Sequence, residues 1–440
     1  MDERLKILYM SHYFPPEVNA PAARVSEMAQ RWAENGADVT VLTCFPNHPN
    51  GIIPEEYRGM WHCRERRGDV NVVRTYVYAA VNKGLFRRII NYLSFMFSSI
   101  FVGTGMSKRP DILIATSPQF FVAVAGYIIS RIKRCKFVFE VRDLWPEEIV
   151  AVGAIRSRIV IRALEAIEMF LYRRADIIVA VAQGTIDLLE ARGIPERKMA
   201  LIPNGVDIDF FAAAADGRRV REQLGIDGKF VVGYIGTHGM AHKLEMILQA
   251  AAKIRQRDEI RFLFVGDGAE KARLVRQAVD LKLTNVIFRD QVPREKVPEY
   301  YAACDICLVP LRKAELFTRN IPSKIYEIMA CGRPIIISTE GESRRLVESS
   351  GAGIGARPED ADDLAKKIVR LWHDGEACRA MGHSGYSFVL ANSSRKRLAD
   401  DYLAILKDVV DGSYSPPAAN KIEIKAENKY GAAKGVRVKA

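Results

Sequence analysis

Short runs of Val, Ile, Leu and Phe recur along the chain with helical stretches between them, and this alternation leaves few folds open. KILYM (6–10), DVTVLT (38–43), DILIAT (111–116), KFVFEV (136–141) and DIIVAVA (176–182) read as strands. Helices such as AARVSEMAQRWAENG, closed by Gly36, lie between most of them. Strands this apolar are buried on both faces, as in a parallel sheet covered by helices on both sides. The pattern restarts after Pro203-Asn204-Gly205-Val206-Asp207, where a Pro and an Asn-Gly turn mark a crossing. KFVVGYIG, RFLFVG, NVIF, DICLVPL and PIIIST then read as strands of a second sheet, with a helix predicted from about Lys243 to Arg257. The expected fold class is α/β, with two doubly wound, Rossmann-like parallel-sheet domains facing a central cleft. The expected boundaries are 1–205, 206–394, a helix over 395–411 able to cross back to the first domain, and a tail over 412–440. That tail is rich in Pro, Ala, Lys and Gly and is expected to be mobile.

Composition agrees with this reading. A chain of 440 residues exceeds one ordinary core, and 49% hydrophobic with 27% charged residues describes a globular protein. A net charge of +12 suits nucleic acid, an anionic membrane surface or phosphorylated ligands. Seven scattered cysteines do not form a disulfide framework. Cys304 and Cys307 form a lone C-x-x-C within a predicted strand, which would point them to opposite faces, and no second pair completes a zinc site. The N-terminus MDERLKILYM reads as a first strand and not a signal peptide, which places the expected location in the cytoplasm.

Ligands of open parallel sheets bind beyond the carboxyl ends of strands, so the loops after strands carry the functional reading. After the first strand come Ser11-His12-Tyr13-Phe14-Pro15-Pro16-Glu17, then Asn19, Ala20 and Arg24 at a helix start that favours anions. No G-x-G-x-x-G is present there, so nicotinamide or flavin binding has no support. Arg142-Asp143-Leu144-Trp145-Pro146-Glu147 follows KFVFEV and brings a charged pair to the cleft. In the second half, Gly236-Thr237-His238-Gly239, with His242 and Lys243, follows one strand, and Gly266-Asp267-Gly268 follows the next. Small residues let backbone approach a ligand closely, and a lysine supplies a point charge for phosphate.

The segment TRNIPSKIYEIMACGRPIII (318–337) completes the set. Pro322, Ser323, Lys324 and Ile325 open a helix, where amides and positive charge can hold a diphosphate. Glu327 lies one turn on, and a carboxylate there can accept bonds from two vicinal hydroxyls, as a ribose presents. The second domain reads as a holder of a nucleoside diphosphate that uses no P-loop.

HYFPPE, TCFPNHPNG, RDLWPE, IPNGVD, VGDG, YYAACDICLVPL and PSKIYEIMACGRPII occur in this order. Over residues 5–411 the chain thereby resembles the family-4 retaining glycosyltransferases of GT-B fold. It looks most like the subgroup that builds bacterial surface polysaccharide such as O-antigen and capsule, including fucosamine-transferase-like and colanic-acid-type enzymes. The resemblance implies transfer of a hexosyl or N-acetylhexosaminyl group with retention, from a nucleotide-sugar donor, with UDP favoured over GDP. The implied acceptor is a polyprenyl-diphosphate-linked saccharide, and no metal or other cofactor is expected. Glu327 takes the ribose hydroxyls. The family's other donor-site glutamate falls at Arg319, and Glu315 is out of register with it. The family's diphosphate Arg and Lys fall at Thr237 and His242, so the phosphate role is shared among Lys243, Lys324, Arg319 and backbone amides. Val292 lies where the family contacts the base. Arg142 replaces an acceptor-side His, leaving Asp143 as the matching acid. Asp143, Glu327 and Lys243 are thus the residues expected to carry catalysis. A sugar-nucleotide epimerase of the same fold and a non-catalytic nucleotide-binding partner subunit are the competing readings. Nucleic acid ranks last, because the basic residues form no ordered recognition motif.

Residues 83–136 hold nine Lys or Arg and one acid, around the apolar run Ile89–Gly103. That run is shorter than the roughly 20 residues needed to span a bilayer. It can lie in the interface of an anionic membrane, attaching the protein to the inner face of the cytoplasmic membrane. It can equally be a helix packed in the N-terminal core.

Overall fold

The computed structural model describes residues 4–48, 50–79, 85–145, 157–212, 216–319 and 321–416. The predicted positions Lys83, Pro146 and Glu147, and the tail from 417 onward, lie outside them. Two sheets organise the chain. The first contains β1 (Lys6–Met10), β2 (Asp38–Cys44), β3 (His62–Arg67), β4 (Val70–Thr75), β5 (Ile112–Thr116), β6 (Lys136–Val141), β7 (Ile177–Ala180) and β8 (Met199–Leu201). Their spatial order is β3-β4-β2-β1-β5-β6-β7-β8. The second contains β9 (Phe230–Ile235), β10 (Ile260–Val265), β11 (Val286–Arg289), β12 (Ile306–Pro310), β13 (Ile335–Ser338) and β14 (Gly353–Gly355), in the order β11-β10-β9-β12-β13-β14. Every pairing is parallel except β3 with β4. The winding reverses between β1 and β5 in one sheet and between β9 and β12 in the other, and such switch points open ligand crevices.

The β3–β4 ribbon departs from the all-parallel expectation. Its edge strand, HCRERR, has no apolar run and so escapes a search for buried strands. Charge on a sheet edge discourages pairing with other chains. Within β1, alternate residues feed two cores. Leu8 and Met10 pack with Leu42, Leu113 and Phe137, while Ile7 and Tyr9 pack with Val39, Val41 and Ile112 on the opposite face.

Helix α1 (Ala20–Glu34) covers that second face together with the C-terminal helix Arg395–Asp411. Trp32 of α1 meets the Tyr402 ring edge-on at 5.2 Å and donates to the Ala399 carbonyl at 2.8 Å. Arg31 grips both Asp400 oxygens at 2.7 Å. The helix Arg395–Asp411 therefore packs on the first unit. The chain's two crossings between the units are joined, since Val206 N donates to Ser393 O and Arg395 N donates to Val206 O, each at 3.0 Å.

Helix α2 (Leu85–Gly105) contains the apolar run 89–103. Asn91, Phe95, Ser98 and Ser99 are buried against the first unit, whereas Phe97 and Phe101 are 64% and 70% exposed. Among the described residues no helix is long and apolar enough to cross a membrane.

The cysteine expectation needs one correction. Cys304 lies in the turn before β12, where its thiol donates to Tyr300 O at 3.2 Å. It lies in the same hydrophobic cluster as Cys307 of the strand. The turn is not extended, so residues three apart share one core instead of facing opposite sides. All seven cysteines are free.

Candidate functional site

The loops after β9 and β10 touch at the switch point of the second sheet. Gly236 and Gly266 have φ of +139° and +140°. A Cβ on Gly266 would fall 2.0 Å from Gly236 O, and one on Gly236 would fall 2.6 Å from Lys324 Nζ. A side chain at Gly266 is excluded by the Gly236 backbone, and one at Gly236 would have to displace the Lys324 ammonium. Gly268 is held as tightly against the His238 backbone, His238 N donates to Asp267 O at 2.8 Å, and Gly268 N donates to the Asp267 carboxylate at 2.7 Å. Thr237 is exposed beside them, and its carbonyl accepts from Tyr234 Oη at 2.7 Å.

Lys324 is the charge at this point. Its ammonium sits 4.3 Å from the centre of the Tyr234 ring and, among the described residues, has no hydrogen-bond acceptor. Burial pushes its pKa down to about 8, partly opposed by Glu327. His238 and His242 lie close by. Burial lowers His238 to about 4 and His242 to about 3, and the charge of Lys324 adds to both shifts. Both rings are therefore neutral near pH 7, and the positive charge of the cluster is carried by Lys324 and by Lys271, which donates to Gly266 O at 2.8 Å and pairs with Asp290. His242 bonds to the Pro310 carbonyl. Neither His238 nitrogen has a partner among the described residues.

The helix that carries Lys324 spans only Lys324–Ala330. Ser323 makes no side-chain capping bond, and the Pro322 and Ser323 carbonyls accept from Ile325 N and Tyr326 N at 3.1 Å. A diphosphate at this position would thus meet an ammonium rather than a capped long helix. Ile325 is buried below, in the core that Val292 joins from the loop after β11. Glu327 accepts from Tyr301 Oη at 3.2 Å. Burial raises its pKa, against the pull of Arg395, Arg294 and Lys324 in that order.

Lys243 differs from its expected place. The predicted helix 243–257 is shorter, Glu245–Lys253, because Lys243 takes a left-handed φ of +49° and cannot begin it. Its ammonium pairs with Glu245 at 3.0 Å. Arg319 pairs with Glu315 at 2.7 Å and packs against Gly184 of the first unit, where Glu342 also accepts from Gly184 N.

On the first unit, Arg142 and Asp143 leave the end of β6, and both of their amides donate to Ser117 Oγ, at 2.7 and 3.1 Å. Arg142 Nε and Nη1 are buried and have no hydrogen-bond partner among the described residues. Burial, then the charge of Arg24, lowers the Arg142 pKa, while Glu140 and Asp143 oppose the shift. His12 is enclosed by the rings of Tyr13, Tyr92 and Phe95 and is bonded to Asn91. Burial lowers it to about 3, so it is neutral.

The helix-start reading of this loop is corrected by its internal bonds. Asn19 caps α1 itself, its Oδ1 accepting from Ala22 N at 2.9 Å, and Ala20 is the first helical residue. Arg24 lies inside the fold. It donates to Glu140 at 2.9 Å, to Pro203 O at 2.9 Å and to Ile202 O at 3.1 Å, and is 2% exposed. Its charge is neutralised by Glu140, so it does not present a guanidinium to a ligand. Sequence reasoning passed over Arg294, Arg395 and Tyr301, which act on Glu327, and Glu27, which holds the two arginines. Their proximity comes from tertiary packing, and no local motif marks them.

Comparisons with known proteins bear on the family and the fold. A family model described as "Glycosyl transferase 4-like domain" matches residues 19–205, and one described as "Glycosyl transferases group 1" matches residues 229–374. Together they cover more than half of the chain. The chain is 25% identical over 374 residues to WcaI of Escherichia coli, described as a glycosyl transferase of colanic acid biosynthesis, covering 83% of this chain and 91% of that one. It is 25% identical over 272 residues to WbjE of Pseudomonas aeruginosa, described as a probable glycosyltransferase, covering 61% and 68%. Among solved structures it resembles sucrose-phosphate synthase of Thermosynechococcus elongatus, with a TM-score of 0.75, 19% identity and coverage of 93% and 100%. It also resembles Anabaena HepE in complex with UDP and glucose, with a TM-score of 0.69, 18% identity and coverage of 92% and 100%.

Proposed function

Because this chain belongs to the family-4 glycosyltransferases of GT-B fold, we propose that it transfers a sugar, with retention, from a UDP-linked donor to a polyprenyl-diphosphate-linked saccharide in bacterial surface polysaccharide synthesis. The buried ammonium of Lys324, which has no hydrogen-bond partner among the described residues, carries this reading. It lies against the glycine loops at the switch point of the second sheet, one helical turn from Glu327. A diphosphate placed there gives the lysine its missing acceptors, and Glu327 is the carboxylate suited to a ribose. HepE, on a similar fold, was solved in complex with UDP, which supports a uridine nucleotide as the donor's carrier.

The chemistry asked of the protein is chiefly electrostatic. As the glycosidic bond to the diphosphate loosens toward an oxocarbenium-like state, negative charge grows on the leaving oxygen. A preorganised cation in a dry site stabilises that charge without reorganisation. Lys324 supplies it, and no metal is invoked. The acceptor hydroxyl approaches from the same face, past Asp143 on the first unit, and Arg142 offers its unpartnered N–H groups to the acceptor's own anionic group.

The membrane provides the acceptor. Trp61 stacks on Tyr76 at 5.4 Å and meets Phe101 edge-on at 6.5 Å. Phe97 of α2 and Ile132 of α3 (Phe120–Lys133) are also exposed, and Lys108, Arg109, Arg131 and Arg134 lie at or just beyond the ends of these helices. Exposed aromatics beside cations suit an anionic lipid interface on the cytoplasmic side.

The test is to incubate the protein with UDP- and GDP-sugars and a polyprenyl-diphosphate-linked saccharide, then read the anomeric configuration of the product by NMR. Retention is expected. Inversion would refute the mechanism, and conversion of the donor without acceptor would favour an epimerase.

A further inference from the structure

Two arginines that act electrostatically on Glu327 are both held by a carboxylate of the first unit. Glu27, on α1 of the first unit, accepts from Arg294 and from Arg395. Arg294 stands in the short turn Arg294–Lys296 after β11, in the second unit, with its guanidinium 5.0 Å from the centre of the Phe210 ring. Arg395 opens the C-terminal helix, is buried, and also donates twice to Gly205 O on the other crossing. Glu327, in the second unit, feels the charge of this pair. Of the charges that act on it, Arg395 and Arg294 pull harder than Lys324 on its own helix. Its other neighbours are Tyr301, which donates to it, and the Cys331 thiol.

The two arginines differ in freedom. Arg395 is pinned by the Gly205 carbonyl. Arg294 is 30% exposed on a surface turn and is held by Glu27 and by a ring. Without Glu27, Arg294 loses the one ion-pair partner it has among the described residues, and Glu327 is a carboxylate on which its charge already acts. A guanidinium closing on that carboxylate would take the oxygens that a ligand hydroxyl needs.

We propose that Glu27 is a positioning residue for the donor site: by taking Arg294 and Arg395 across the boundary between the units, it holds Arg294 off Glu327 and leaves that carboxylate open to the nucleotide. The inference rests on the assignment of Glu327 to the ribose. It adds that the grip on the donor depends on contact between the units, although Glu27 itself touches no ligand.

The test is calorimetric titration of the full chain with UDP, with the melting temperature as a parallel readout. Glu27→Gln is expected to weaken UDP binding by tenfold or more. Glu27→Asp, which keeps the charge, is expected to bind close to wild type. Adding Arg294→Gln to Glu27→Gln removes the competing guanidinium and is expected to restore most of the affinity, a recovery that lost structural support would not give. Unchanged affinity in Glu27→Gln, even with a lower melting temperature, would overturn the proposal, as would a double variant no tighter than the single one. If the wild type bound no nucleotide, the reading of the donor site itself would fall, and this inference with it.

Discussion

Replacing Lys324 by Met should move stability and ligand affinity in opposite directions. An ordinary lysine has a pKa near 10.4, and this one is held at about 8. The folded chain therefore disfavours the ammonium, and the cost is present in full below pH 8. It fades between about pH 8 and 10.4, where the unfolded chain still binds a proton that the folded chain has released. At 1.36 kcal/mol per unit, the cost below pH 8 is about 3 kcal/mol. Met retains most of the apolar stem and removes the charge, so Lys324→Met should raise the melting temperature of the ligand-free protein at pH 7. The gain should shrink toward pH 10. Affinity should fall, because a hydrogen bond to a charged group contributes roughly 1.5–3 kcal/mol, or about 10- to 100-fold. In the wild type, UDP binding should weaken about tenfold from pH 7 to pH 9 as the ammonium deprotonates, and the variant should show no such step. Thermal melting and calorimetric titration across pH 6.5–9.5 measure both effects. A variant less stable than wild type, with unchanged affinity and the same pH step, would refute the reasoning.

Glu327→Ala should weaken UDP binding by roughly 10- to 100-fold, with little effect on folding. Asp143→Ala should bind UDP normally and lose transfer, and equal loss of affinity in the two variants would contradict that division. Arg24→Met leaves Glu140 buried without its partner and should cost about 3–5 kcal/mol in urea denaturation. Cosedimentation with anionic liposomes at low salt should recover the wild type and lose the Phe97→Glu/Phe101→Glu variant, and failure of the wild type to sediment would remove the membrane from the account.

Both sheets were legible because their central strands are buried on two faces and are therefore apolar without a break. Strand β3 was not, since it is a charged edge, and the three-residue strands β8 and β14 are too short to leave a pattern. In the site, Gly236, Gly266, Lys324 and Glu327 could be found from the sequence because each stands just beyond a strand or at a helix start. Their ranking could not. Lys243 and Lys324 look alike in a sequence, and only packing shows that one is paired with Glu245 while the other lies buried over a tyrosine ring. Arg24 looked like an anion receptor until Glu140, 116 residues away, took its charge. Glu27 gave no signal, since its meaning comes from two arginines contributed by other parts of the chain.

The most direct measurement is calorimetric titration of the wild type with UDP and with GDP, without added metal, repeated on Glu327→Ala. The account predicts saturable binding, tighter for UDP, that is weakened in the variant. Binding of neither nucleotide by the wild type would contradict it, and would mean that with Arg319 in place of a donor-site glutamate the chain holds no donor and serves as a partner subunit.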